Sequence, residues 1–234
     1  MGLKRKPPAG NSRRVRSTGQ NICGVISNKT GRTVQFESFT ERSFLLQLER
    51  RWDVTDYISQ PERLRYEDDS GKPHTYTPDF KVWHRDGMIS LHEITLTKRL
   101  ALPAIEQRHA AARLICAERK WEFQIHTEQD LPEGSELANL LALWMYRSAH
   151  YAHPDIGQAI QQALAHAEYR LYALVSEIHC QGGFSVAQIA SCLYHQLWHK
   201  QIEMNWHSLL FQDAVPNPKA RLWLSQKAGA AWQK

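Results

Sequence analysis

The chain has 234 residues, 42% of them hydrophobic and 23% charged, with eight Trp, enough apolar material for one large or two modest packed domains. No run approaches the length of a membrane span and no apolar signal segment is read near residue 1, so a cytoplasmic protein is expected. The net charge of +5 is uneven: Lys4, Arg5, Lys6, Arg13, Arg14 and Arg16 crowd the first twenty residues without an acid, and the rest sums to −1. Residues 1–20, punctuated by Pro, Gly and Ser, read as a basic flexible tail suited to lie along DNA phosphates with salt-sensitive affinity. The cysteines Cys23, Cys116, Cys180 and Cys192 are scattered without a CxxC pair and are expected to be reduced thiols. His150/His153 and His195/His199 lack nearby cysteine partners, which favours solvated or core histidines over a zinc site.

Residues 22–36 predict a hairpin turning at Asn28–Gly31. From Glu37 to Trp52 the period changes to helical, with Phe39, Phe44, Leu45, Leu48 and Trp52 on one stripe. Ser38 and Glu41 form a capping box in which Glu41 reaches back to the Ser38 amide. Val54–Ser59 and Arg63–Glu67 are short strands, and Asp68–Lys72 is a turn. Two alternating runs follow, Thr75–His84 and Met88–Thr95, around Arg85-Asp86-Gly87. A three-residue loop with Gly87 in the left-handed place pairs His84 with Met88 and Asp79 with Glu93, so two carboxylates share a face. A two-residue Asp86-Gly87 turn sets Asp79 against Ile94 instead. The loop composition leaves both open.

Leu100–Lys120 is a second amphipathic helix entered through Pro103, with Arg108, Arg113, Arg119 and Lys120 on its exposed face. Trp121–His126 is a strand and Glu136–Ala149 a leucine-rich helix. This order predicts an α/β sandwich of mixed strands flanked by helices over residues 21–152. Residues 155–180 read as one long helix broken at Gly182-Gly183. Ser185 then caps a shorter helix carrying Tyr194 and Trp198, and a β-like ending follows. Residues 153–234 are therefore expected to form a mostly helical, winged-helix-like domain. Its second helix is nearly uncharged, which suits protein docking at least as well as DNA reading.

Paired carboxylates on adjacent strands, with a third on a helix, are what a divalent cation needs for phosphodiester hydrolysis; a lysine usually stabilises the developing charge. The ordered series GVISNKTGRTVQFES--ER-FL, V-D-ISQPERLRY, GKPHTYTPDFKV, LHEIT, W-FQIHTEQDL and NLLALWMYR resembles the nuclease domain of the TnsA-type endonucleases, members of the restriction-endonuclease-like PD-(D/E)xK superfamily. The resemblance favours the Gly87 register. It implies that Glu41, Asp79 and Glu93 hold Mg²⁺, with Mn²⁺ substituting, and cut the non-transferred 5′ strands at transposon ends. It also implies double-stranded DNA, a DDE transposase (TnsB-like) and a AAA+ regulator (TnsC-like) as partners, at the nucleoid of a bacterium. Thr95 stands where the family usually has lysine. Lys81, on the face of Asp79 and Glu93 with both as partners, and Lys98, just past the strand, are the two candidate replacements. An impaired nuclease-fold adaptor is the alternative.

Overall fold

The computed structural model describes residues 23–68, 70–213 and 215–225, and the chain divides into two compact units between Leu131 and Pro132. The expected basic tail, residues 1–20, lies outside the described residues. The division falls earlier than the predicted domain boundary, and residues 132–152 pack with the C-terminal part of the chain.

The first unit opens with the predicted hairpin: β1 (Cys23–Ile26) pairs antiparallel with β2 (Thr33–Phe36), and Gly31 turns the chain at φ +65°. Helix α1 (Phe39–Arg50) begins where Ser38 Oγ accepts the Glu41 amide. Its buried stripe is Phe44, Leu45, Leu46 and Leu48. Phe39 and Trp52, read from the periodicity as core, are instead 73% and 75% exposed. They flank the helix, where arginines cover their rings: Arg42 over Phe39 and Arg85 over Trp52.

Strand β3 (Val54–Ser59) belongs to the main sheet, whereas β4 (Leu64–Glu67) pairs only with β5 (Pro73–Tyr76). The run expected as one strand from Thr75 to His84 is thus two pieces. Pro78 has no amide to give a ladder, and the chain leaves β5 before re-entering as β6 (Phe80–His84). β6 pairs antiparallel with β3 and with β7 (Ile89–Ile94), and β7 runs parallel to β8 (Glu122–His126), giving the order β3-β6-β7-β8.

The parallel pair needs a crossover. It is supplied by α2 (Thr97–Leu100) and α3 (Pro103–Glu118), the latter starting on Pro103 at its first turn. Phe44 of α1 packs on Phe80, His92 and His126 on one sheet face. Ala112 and Cys116 of α3 join Leu64, Tyr76 and Leu91 in a buried cluster on the other side. Each fully buried large apolar side chain contributes roughly 1.5–3 kcal/mol, so both faces are firmly held. The first unit is a mixed sheet with a helix on either side, as predicted.

In the second unit, α4 (Gly134–Leu143) is anchored by Asn139, whose Oδ1 accepts the Leu210 amide at 2.7 Å while its Nδ2 donates to the Ser208 carbonyl at 2.9 Å. This is why the segment after Leu131 belongs here. The predicted helix over 155–180 is two helices, α5 (Pro154–His166) and α6 (Leu171–Gly182), separated by the short strand β9 (Tyr169–Arg170).

Helix α6 ends at Gly183 with φ +67°, and Ser185 and Gln188 form a capping box for α7 (Val186–Trp198). Strand β10 (Ile202–Met204), the small pair β11 (Phe211–Gln212) and β12 (Val215–Pro216), and β13 (Arg221–Leu224) follow. They give a three-stranded antiparallel sheet, β10-β13-β9. Helix α7 is central: residues 192–198 are all buried. Tyr194 packs on Tyr146, and Trp198 meets Trp144 edge-on. These two aromatics, expected on a docking surface, are core. Gly157 of α5 admits α7 closely, since a Cβ there would lie 2.7 Å from Gln196 Nε2.

Candidate active site

The hairpin register decides which acids meet. His84 donates its amide to the Met88 carbonyl at 2.9 Å and Gly87 donates to the His84 carbonyl at 3.1 Å, with Gly87 at φ +86°. That is the three-residue loop, and glycine occupies the one place where a side chain would be strained. Trp83 pairs with Ile89 and Phe80 with His92, so Asp79, one residue before β6, faces Glu93.

Asp79 is pinned twice. Its Oδ2 accepts the Ile94 amide at 2.7 Å, and its carbonyl accepts the Gln60 amide at 2.7 Å. Gln60 takes φ +46°, a left-handed conformation that costs a non-glycine residue about 1–2 kcal/mol and persists only where neighbours impose it. Burial, then Glu93, then Glu41 push the Asp79 carboxyl well above the usual carboxylate range; the Ile94 amide offsets part of this. Asp79 at the hairpin's entry thus meets Glu93 on its return strand, and both the Glu93 charge and that of Glu41 in the first turn of α1 act on it.

Glu41 is buried. Its Oε2 accepts the Glu37 amide at 2.9 Å and its Oε1 the Ser38 hydroxyl at 3.0 Å. The reach-back goes to Glu37, one residue earlier than the capping-box expectation.

Glu93 is buried as well, and both oxygens are engaged. Tyr76 Oη donates to Oε2 at 2.6 Å and Arg108 Nη2 to Oε1 at 2.7 Å. The Arg108 guanidinium also lies 4.7 Å from the Tyr76 ring centre, and buried His109 places Nε2 3.9 Å from Glu93 Oε1. Burial and the neighbouring Glu93 raise the Tyr76 phenol, which keeps it a proton donor. Arg108, assigned from sequence to the solvated face of its helix, is instead the cation at this cluster. Tyr76, Arg108, His109 and Gln60 were missed; only Tyr76, three residues before Asp79, carried a usable spacing signal.

Of the two lysines proposed from sequence, Lys81 pairs with another acid and Lys98 is exposed. Lys81 does occupy the strand face of Asp79 and Glu93, but its partner is Glu62 at 3.0 Å, and its ammonium sits 3.9 Å from the Trp121 ring centre. Glu62 also holds Arg119 at 3.2 Å. The expected pairing of Lys81 with Asp79 and Glu93 is replaced by this cluster, while Leu91, its direct neighbour on β7, is fully buried. Lys98 is exposed on α2. Thr95 is buried and donates its amide to the His126 carbonyl at 2.9 Å. The tail residues Lys4, Arg5, Lys6, Arg13, Arg14 and Arg16 lie outside the described residues.

The donor set at Asp79 is all carboxylate oxygen, which matches a hard divalent cation; burial first, and then the charges of Glu93 and Glu41, raise the Asp79 carboxyl, and the second part is repulsion a dication relieves. As arranged, with Glu93 taken by Arg108 and Tyr76, no three acids, histidines or cysteines among the described residues already form a metal-holding group. The chemistry of the ligands fits such an ion.

The opposite sheet face holds a hydrogen-bonded chain. Arg51 pairs with Asp53, whose Oδ2 meets His84 Nδ1 at 3.2 Å; His84 Nε2 meets Ser90 Oγ at 2.7 Å. Ser90 Oγ meets His92 Nε2 at 2.8 Å, and His92 Nδ1 meets His126 Nε2 at 2.8 Å. It ties together the strands that carry Asp79 and Glu93.

A mixed sheet sandwiched by helices, with a buried acid cluster at the open end of its central hairpin, defines an α/β domain with a carboxylate-centred polar site. Residues 52–128, from the start of β3 to just past β8 and including Asp79 and Glu93, match the family model described as TnsA-like endonuclease N terminal. A comparison with curated proteins gave no match.

Proposed function

We propose that this chain is the endonuclease subunit of a cut-and-paste DNA transposase, cleaving the non-transferred 5′ strands at transposon ends with Mg²⁺ or Mn²⁺. The observation that carries the reading is the convergence of Asp79 and Glu93, with the charge of Glu41 beside them, inside or adjoining the segment with the endonuclease match. Asp79 would be the central ion ligand, aided by Glu93 and Glu41. The bound ion would activate water and stabilise charge on the scissile phosphate. The Ile94 and Gln60 amides fix the Asp79 carboxyl and main chain, and Tyr76 fixes Glu93.

The sandwich of the first unit supports a restriction-endonuclease-like fold. In the second unit, the order α5, β9, α6, α7, β10, β13 with a three-stranded antiparallel sheet supports a winged-helix-like domain. With residues 192–198 buried, DNA, a DDE transposase or a AAA+ regulator would meet exposed positions such as those in the first turn of α7. The basic tail would add salt-sensitive contacts to phosphates.

A second reading, an impaired nuclease-fold adaptor, is favoured by Thr95 at the usual lysine position and by Lys81 being paired with Glu62. Single-turnover cleavage of end-containing duplex DNA with Mg²⁺, in the presence of its transposase, separates the two. The nuclease reading expects 5′-strand cuts that Glu93→Ala abolishes. Identical products from wild type and Glu93→Ala would establish the adaptor.

A further inference from the structure

We infer that Arg108 supplies the positive charge that Thr95 does not, acting as the site's phosphate-facing cation. The inference rests on the nuclease reading and deepens it. Two places after Glu93, just past the end of β7, stands an uncharged, buried threonine, Thr95. The charge arrives instead from α3. Arg108 Nη2 lies 2.7 Å from Glu93 Oε1, while its Nε is buried without a hydrogen-bond partner.

A guanidinium has five N–H donors in a planar fork. Here one is given to Glu93 and the buried Nε has no partner, so the Glu93 contact leaves most of the fork's donors for an anion brought beside the partly exposed guanidinium. Its plane is kept in place by the Tyr76 ring at 4.7 Å. Tyr76 in turn donates to the other oxygen of Glu93. Arginine, ring and carboxylate thus form one unit, and the cation is held against the acid that would bear the metal. Neither sequence-designated lysine has such a contact: Lys81 is held by Glu62 and Trp121, and Lys98 stands in solvent on α2.

The test uses the full chain with its transposase and compares Arg108→Gln, which keeps a hydrogen-bond donor to Glu93 without the charge, with Arg108→Lys and Lys81→Ala. Arg108→Gln is expected to slow single-turnover cleavage at saturating DNA by about 100-fold or more, the scale for losing one transition-state donor. Arg108→Lys should recover part of that loss, and Lys81→Ala should cut at the wild-type rate. A second readout is Mn²⁺ binding followed by electron paramagnetic resonance: Arg108→Gln should bind Mn²⁺ at least as tightly as wild type, because a cation beside a ligand has been removed.

Wild-type cleavage by Arg108→Gln overturns the inference and leaves the nuclease reading standing. Loss of Mn²⁺ binding in Arg108→Gln also overturns it, making Arg108 a residue that only holds the fold. A wild-type chain that cuts no DNA overturns the nuclease reading and this inference with it.

Discussion

Replacing His92 with Asn should flatten the acid sensitivity of the first unit. His92 is fully buried between the two strands that frame the acid cluster, with Ser90 on one ring nitrogen, His126 on the other and Phe44 across its face. Burial, then the neighbouring His126, Arg51 and His84, lower its pKa from 6.5 to about 2. In the unfolded chain the ring takes a proton near 6.5, while the folded protein refuses one until about pH 2. Between those values the unfolded state binds more protons, so stability is fully present above pH 6.5 and is lost as pH falls. The slope is about 1.4 kcal/mol per pH unit, which amounts to about 2 kcal/mol between pH 7 and pH 5.

Asparagine cannot titrate there and can still hydrogen-bond to Ser90. Urea unfolding of wild type and His92→Asn at pH 7 and pH 5 isolates the effect, because the constant cost of the lost Phe44 contact cancels in the difference. Wild type should lose about 2 kcal/mol more than the variant on acidification. His126, lowered by burial in the same chain, leaves both proteins a further sensitivity. Parallel stability curves for the two proteins would refute the reasoning. Cleavage should follow the same window, since β7 carries both His92 and Glu93.

Asp79→Asn removes one of three crowded acids, and should abolish cleavage while raising stability by about 0.5–2 kcal/mol, measured by thermal unfolding at pH 7. A destabilised variant would mean that the Ile94 amide's bond to the carboxylate outweighs the repulsion. Glu62→Gln breaks a part-exposed cluster with Lys81 and Arg119, so it should cost no more than about 1 kcal/mol and leave cleavage intact. A strong loss of activity in Glu62→Gln would bring Lys81 back as a participant.

The hairpin was legible because two rules converged on it. Strand alternation fixes which residues share a face, and a glycine at the third loop place allows the register that pairs Asp79 with Glu93, while the family resemblance chose it over the two-residue turn. Arg108 was not legible. On a helix with arginines around its exposed side, which one turns inward depends on how α3 rotates over the sheet, and Ala112 and Cys116, its buried neighbours one and two turns on, set that rotation.

Lys81 was placed on the correct face, but its partner came from Glu62, in the segment between β3 and β4. The break between α5 and α6 was invisible for a related reason. Tyr169 and Arg170 pair with Leu222 and Arg221, more than fifty residues away, and the Leu171 amide donates to the Ala220 carbonyl at 3.0 Å. Helical periodicity runs through that point without registering a distant strand. Phe39 and Trp52 lie at the ends of the stripe, where period alone does not tell a buried turn from a solvated one.

The most direct test of the central claim is a crystal structure of the chain grown with Mn²⁺, read by anomalous scattering. The account predicts one strong peak bound by Asp79 together with Glu93 or Glu41, with the Arg108 contact to Glu93 lengthened. A protein that binds its Mn²⁺ elsewhere, leaving Asp79 without a metal while Glu93 keeps Arg108 and Tyr76, would contradict it.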